Sequence, residues 1–227
     1  MVLTAKIFEV KAETTIGAIA AKLSGLRLVE TVSEEKSEFE LVTDVHDLTA
    51  GKNYVTAIFS RDKLIKIKQR GRVLPIIKTI EAVIDFRNRG EKIFLTVAQE
   101  KYFANYVATT LSNSLFLNYR SITESSIPSE NMQKIHESNP DGTKLIWFDQ
   151  VDIPGVAKLA LAGPSLRDTS LYEEYLKHGK IWYIVFTTRE GGRIFGLTRN
   201  GVVTCFTPIE EKDFLDYIFT EVFPLLS

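Results

Sequence analysis

A single cysteine, Cys205, stands in 227 residues. One thiol excludes an intramolecular disulfide and any cysteine-based zinc cluster. It is read as the core residue of a strand in "VVTCFT", and a reducing, intracellular setting, cytoplasmic or nuclear, is expected. No apolar run approaches the roughly 18 residues that a bilayer-spanning helix needs. The opening "MVLTAKIFEVKAETT" lacks a charged stretch followed by an apolar one, so no secretory signal is read there. Three histidines, His46, His136 and His178, are scattered and never at metal-ligand spacing. No HExxH, GxSxG, P-loop or GxGxxG occurs. No enzyme, cofactor, metal or small-molecule substrate is therefore read, and no membrane association.

What the chain does have is a repeat. "TVAQEKYFANYVATTL" at Thr96–Leu111 returns as "TPIEEKDFLDYIFTEV" at Thr207–Val222. Thr96, Glu100, Lys101, Phe103, Tyr106 and Thr109 recur as Thr207, Glu211, Lys212, Phe214, Tyr217 and Thr220. A second echo, "DVHDLTAG" at Asp44–Gly51 and "DQVDIPG" at Asp149–Gly155, supports an internal duplication. The halves are taken as 1–113 and 114–227. Net charge is −1, with 17 basic against 14 acidic residues in the first half and 11 against 15 in the second.

Apolar periodicity lays out each half as strand, helix, strands, helix. In the first, Val2–Val10 is an expected strand, and Ile16, Ile19, Ala20 and Leu23 follow helical spacing. Thr14 or Thr15 can cap that helix and Gly25 can stop it. Strands are expected at Phe39–Thr43, Tyr54–Phe59, Leu64–Gln69, Val73–Phe86 and Lys92–Thr96, then a helix over Ala98–Leu115. The second half is expected to open with a strand at Leu115–Tyr119 and a helix in "SSIPSENMQKIHES". Strands follow at Lys144–Phe148, Val156–Leu161, Ile181–Thr187, Arg193–Leu197 and Val202–Phe206, then a helix over Ile209–Phe223. Short connections favour antiparallel pairing. The expected fold is α+β: two pseudo-symmetric halves forming one curved antiparallel sheet with helices on one face.

Two stretches sharpen this. "FRNRGEKIFLTVAQEKYFANYV" and "LTRNGVVTCFTPIEEKDFLDYIFTEVFPLL" each run from an aromatic or apolar residue through a glycine turn and a strand into a long helix. That layout resembles the TATA-binding-protein fold, while "FELVTDVHDLTAGKNYVTAIF" is similar to the kinetochore CENP-L/CENP-N group. The resemblance implies a duplicated saddle without making the chain a true TATA-binding protein. Extra strands and longer loops depart from that family.

The strongest functional signal is "RDKLIKIKQRGR" at Arg61–Arg72, with six basic residues and one acid. Strand alternation is expected to put Lys66, Lys68, Arg70 and Arg72 on one face, about 7 Å apart, where they could follow a phosphate backbone. Lysines on an edge strand also prevent aggregation, which is the structural account of the same residues. The paired turns give a second signal. Arg87, Asn88, Arg89 and Gly90 match Thr198, Arg199, Asn200 and Gly201. Turn geometry explains the Asn and Gly residues and leaves the arginines unexplained. In a saddle-shaped minor-groove binder, apolar residues near such turns wedge between base steps while Arg and Asn contact the groove. Phe86 and Leu197 are the candidate wedges, with core packing the simpler account of both. Asp44 and Asp47 could form a carboxylate pair, but "HDLTAG" reads more simply as a polar turn between strands. Trp147 and Trp182 are read as marking the sheet face without helices, or as core. A non-enzymatic binding protein is expected, with duplex DNA as partner in the first reading and a protein partner in the second.

Overall fold

The computed structural model describes residues 2–34, 37–166 and 169–227. Its residues fall into two compact units, Val10–Thr123 and Met1–Glu9 with Glu124–Ser227. The division differs from 1–113 and 114–227 at both boundaries, residues 1–9 joining the C-terminal unit and residues 114–123 the other. Strand β1 (Leu3–Val10) hydrogen-bonds with the strand at Val202–Cys205, so most of it belongs to the unit holding the C-terminus.

In the unit Val10–Thr123, Thr15 accepts a hydrogen bond from the Ala18 amide and starts α1 (Ile16–Leu23), as its sequence position suggests. The strands β2 (Arg27–Glu34), β3 (Ser37–Ala50), β4 (Tyr54–Gln69), β5 (Arg72–Arg89) and β6 (Lys92–Ala98) follow, and α2 (Lys101–Phe116) closes the unit. The strands lie in chain order and pair antiparallel. Phe59 on β4 meets Phe103 and Tyr106 of α2 edge-on at 6.3 and 6.4 Å, which fixes the face that α2 covers. Lys22 of α1 donates to the Leu115 carbonyl, holding α1 beside α2. Val55, Ala57, Phe59, Ile84, Phe86 and Leu95 form the buried layer beneath.

Three expectations for this unit change. The separate strands Tyr54–Phe59 and Leu64–Gln69 are one strand of 16 residues, because Ser60–Lys63 keep the extended backbone and stay paired with Lys78–Glu81. The polar turn expected around Asp44 and Asp47 is strand. The register of β3 with β4 shifts between His46 and Thr49, and Asp47 takes φ 52°, a bulge that lets the strand run on to Ala50. The strand expected at Leu115–Tyr119 is absent, since α2 runs through Phe116 and ends at Leu117 in the left-handed conformation (φ 55°). The edge strand β2 carries no alternating burial, its residues 27–31 all being exposed, and periodicity therefore missed it.

A three-residue strand, β7 (Ile122–Glu124), stands at the boundary between the units. Beyond it come α3 (Ser129–Ser138), β8 (Thr143–Asp149), β9 (Leu159–Ala162), α4 (Leu171–His178), β10 (Lys180–Thr187), β11 (Ile194–Thr198), β12 (Val202–Cys205) and α5 (Glu211–Tyr217). The sheet order of this unit is β1-β12-β11-β10-β8-β9, again antiparallel. Phe195 stacks on Phe214 and Tyr217 of α5 at 6.3 and 3.9 Å. Phe148 meets Tyr172 and Tyr175 of α4. Phe148 and Phe195 point to the same face, so α4 and α5 share it. The helix expected over Ile209–Phe223 is three pieces: α5, a π-helical turn at Ile218–Val222 and a 3-10 turn at Phe223–Leu225. Pro224, which has no amide proton, sits in that last turn. Cys205 is buried on β12, as expected. Among the described residues no helix is long and apolar enough to cross a membrane.

His136 on α3 gives this unit a pH dependence. The ring is buried 4.1 Å from that of Tyr172, and its Nδ1 has no hydrogen-bond partner among the described residues. Burial lowers its pKa below 6.5, opposed by the nearby Glu137 carboxylate. The native state thus binds the proton later than the unfolded chain on acidification. Stability is full above about pH 6.5 and falls as pH drops from there to the native pKa. The urea midpoint should decrease between about pH 7.5 and 5.5, and His136→Phe should remove most of that decrease. An unchanged pH profile in His136→Phe would exclude His136 as the source.

Candidate functional site

The outer halves of β4 and β5, residues 62–69 and 72–79, pair only with each other among the described residues. Pairing of β3 with β4 stops at Thr43 with Arg61, and pairing of β6 with β5 begins at Val83 with Ala98. The two segments therefore extend as a two-stranded ribbon of eight residues a side, about 26 Å long at 3.3 Å per residue. Its turn is Arg70-Gly71, with φ 49° and 79°. Positive φ at both central residues matches the right-handed twist of the strands, and Gly71 supplies one of them without strain.

That turn overturns the single-faced cation strip. Lys66 pairs with Pro75 and Lys68 with Val73, so these two lysines share a face with Leu64 and Ile77. Arg70 lies in the turn. Arg72 pairs with Gln69 on the opposite face, beyond Ile67 with Leu74, Ile65 with Ile76 and Lys63 with Lys78. The second face is an apolar strip of Ile65, Ile67, Leu74 and Ile76 bracketed by Lys63 and Lys78 at one end and Arg72 at the other. Leu74 and Ile76 are 40% and 37% exposed. Lys66 reaches Glu34 at 2.5 Å, whereas Lys68, Arg70 and Arg72 are exposed and make no ion pair among the described residues. Residues 62–79 carry six basic side chains and one acidic one, Asp62. Asp62 is itself engaged, accepting from the Val42 amide and the Thr79 hydroxyl.

The other predicted contacts are structural. Phe86 and Leu197 are 0% and 1% exposed on the helix-covered faces of their units, Phe86 in the layer of Phe59 and Leu197 in that of Phe195. Neither can wedge between base steps. The cause is register: Phe86 pairs with Val55 and Leu95, and Leu197 with Ile184 and Val203, all core positions. Arg87 donates from Nε to the buried Asp85 at 2.7 Å, and Asp85 also accepts from Thr56. The Asn88 amide donates to the Asn53 carbonyl, and Arg89 closes the β5–β6 turn opposite Lys92. Arg199 makes a two-pronged pair with Asp149 at 2.9 and 2.7 Å, and Asn200 accepts from Thr198 at 2.6 Å. Arg87 and Arg199, one beside each turn, are thus held on neighbouring carboxylates.

The sheet faces turned away from the helices differ between units. In Val10–Thr123 that face holds Asp44, Asp62, Glu81 and Asp85 against His46 and Arg87, and it is acidic and polar. In the other unit it holds Leu145, Trp147, Tyr183 and Val185, with the Phe206 ring over Gly196. Trp147 pairs with Tyr183 on this face, and Trp182 packs on it edge to face at 6.1 Å, with Lys158 over both rings. Alternation in "LIWFD" and "WYIVF" carried that signal. The exposed apolar residues of β5, Val73, Leu74, Ile76 and Ile77, were hidden inside what read as an ordinary core strand.

No group of three or more potential metal ligands occurs among the described residues. No protein-family model matches the chain, and no curated protein matches it.

Proposed function

We propose that this chain is a non-enzymatic binding protein, an adaptor whose recognition element is the β4–β5 ribbon. Its partner is a protein that sets acidic side chains around an apolar strip. The observation that carries this is the row of Ile65, Ile67, Leu74 and Ile76, its β5 members exposed and its β4 members half-buried, between Lys63, Lys78 and Arg72. Exposed apolar patches ringed by polar groups mark protein contacts, whereas phosphate binding needs cations and gains nothing from exposed leucine or isoleucine. Pro75 faces Lys66 one pair beyond the hydrogen-bonded pair Ile67–Leu74, so its nitrogen points outward and interrupts the β5 edge. Docking on the ribbon face is favoured over addition of a strand to that edge.

A second reading, duplex DNA, is supported by the unpaired cations Lys68, Arg70 and Arg72 at the tip, because a two-stranded ribbon fits the major groove. The two are separated by titration. The adaptor reading expects a photo-crosslinker at Ile76 to capture one protein, whose affinity drops by about tenfold or more in Leu74→Ser/Ile76→Ser. Lys63→Glu/Lys78→Glu should weaken the same complex more at low salt than at high salt. The DNA reading instead expects binding at about 50 mM salt that falls by roughly 0.9 in log K per log salt for each phosphate contacted. Lys66→Ala/Lys68→Ala/Arg70→Ala would then flatten the slope by about 2–3. Captured protein indifferent to every ribbon variant would sink the adaptor reading.

We further infer that the two halves descend from a duplication and make a saddle of the TATA-binding-protein kind. Supporting this are the echoed sequences, the antiparallel α+β build of both units, and the placement of Phe103 and Phe214 as buried anchors of the helices that close them.

A further inference from the structure

On the helical side of the unit holding the C-terminus lies a cleft of about 700 Å³. Phe186, Phe195 and Leu197 of β10 and β11 form its floor. One wall is the end of α3, and the other is the C-terminal helical segment with Tyr217, Thr220 and Val222. The second wall is unusual. A helix continuing through Ile218–Val222 would be narrower, but the Phe223 amide bonds the Ile218 carbonyl five residues back, giving a π turn. Thr220 donates to the Asp216 carbonyl within that turn. Single π turns in otherwise α-helical segments recur at binding sites. The volume lies within the range of roughly 300–1,000 Å³ common for small-ligand sites.

Charge decides what would enter. The β10–β11 connection contributes Arg189 and Arg193, and α3 contributes Lys134, against Glu190 and Glu221. Arg189 uses one guanidinium nitrogen on the Ser138 carbonyl and keeps its other donors. Arg193 has Asp213 only at 3.8 Å, with both side chains well exposed, a weak pairing. Tyr217 adds a phenol that stays protonated, its pKa pushed up by burial and by the Glu221 carboxylate. We propose that this cleft binds a small organic acid, its apolar body against Ile135, Phe186 and Leu225 and its carboxylate between Arg189, Arg193 and Lys134. The site is separate from the ribbon and does not depend on the adaptor reading.

Calorimetric titration of the full chain with decanoate tests it, with decyltrimethylammonium as the matched cation. Decanoate should saturate at one per chain, and the ammonium should bind at least about tenfold more weakly. Arg193→Ala, at an exposed position, should weaken decanoate by about tenfold. Thr220→Trp, also exposed, should fill the cleft and abolish binding, while Leu74→Ser/Ile76→Ser should leave it unchanged. Absence of saturable decanoate binding would overturn the proposal. So would equal affinity for the ammonium, or undiminished binding in Thr220→Trp.

Discussion

Phe103→Ala and Phe214→Ala are each expected to cost about 3–5 kcal/mol of stability. Phe103 is 5% exposed and Phe214 0%. Each is the aromatic anchor of the helix that closes its unit, and deleting a ring there loses its burial and leaves a cavity that a strand-backed layer cannot collapse into. The surroundings differ in detail. Phe103 meets Phe59 edge-on, at an interplanar angle of 65°, and stacks on Tyr106 at 6.0 Å. Phe214 lies nearly parallel to Phe195, at 13°. Phe195 keeps Tyr217 stacked at 3.9 Å when Phe214 is cut back, so Phe214→Ala should fall towards the lower end of the range. Both tryptophans, Trp147 and Trp182, lie in the unit of Phe214, so tryptophan fluorescence in urea reads that variant directly. Phe103→Ala is read by far-UV circular dichroism. A loss below about 1 kcal/mol for either would mean that the residue is not an anchor.

How much of this could be seen in the sequence depended on whether burial left a period. The helices α1, α2 and α3, the strands β8 and β10 and the inner half of β5 carry alternating or 3.6-residue apolar patterns because one face meets a core, and each was legible. Edge strand β2 has no buried face and left none. The bulge at Asp47 broke the alternation of β3, so a continuous strand read as a turn. The α4 helix, with Tyr172 as its one buried residue, carries too little apolar face to announce itself. At the candidate site the basic residues of Arg61–Arg72 were legible as a cluster. Their faces were not, because alternation was extended through Arg70-Gly71, where the chain reverses and Arg72 changes face. For Phe86 and Leu197 the simpler account, core packing, holds over the wedge, since turn proximity says nothing about which face a strand residue takes. That depends on register across three strands, which no local window contains.

The arginines beside the turns are best told apart from the ribbon by stability. Arg87→Met is expected to destabilise the protein by about 3 kcal/mol while leaving ribbon binding intact. Asp85 is 1% exposed, and its carboxylate takes one hydrogen bond from the Thr56 hydroxyl at 2.8 Å and one from Arg87 Nε at 2.7 Å. Thr56 supplies a dipole, whereas Arg87 supplies a charge. Removing Arg87 takes a charge-assisted bond from a buried carboxylate, and breaking an ion pair on one side costs about 3–5 kcal/mol where both partners are buried. Arg87 keeps 17% of its side chain exposed, and some water can follow it, which places the expectation at the lower end. The double replacement Asp85→Asn/Arg87→Met removes charge and countercharge together and should recover most of the loss, since a neutral amide can still bond Thr56. Lys68→Glu should do the reverse, changing partner binding with less than about 0.5 kcal/mol of stability, because its side chain is solvated. Urea denaturation of the four variants (Arg87→Met, Asp85→Asn, the double and Lys68→Glu) gives the coupling between Arg87 and Asp85 directly. Arg87→Met as stable as the parent protein, but defective in binding, would return Arg87 to the recognition surface and remove the distinction between turn and ribbon.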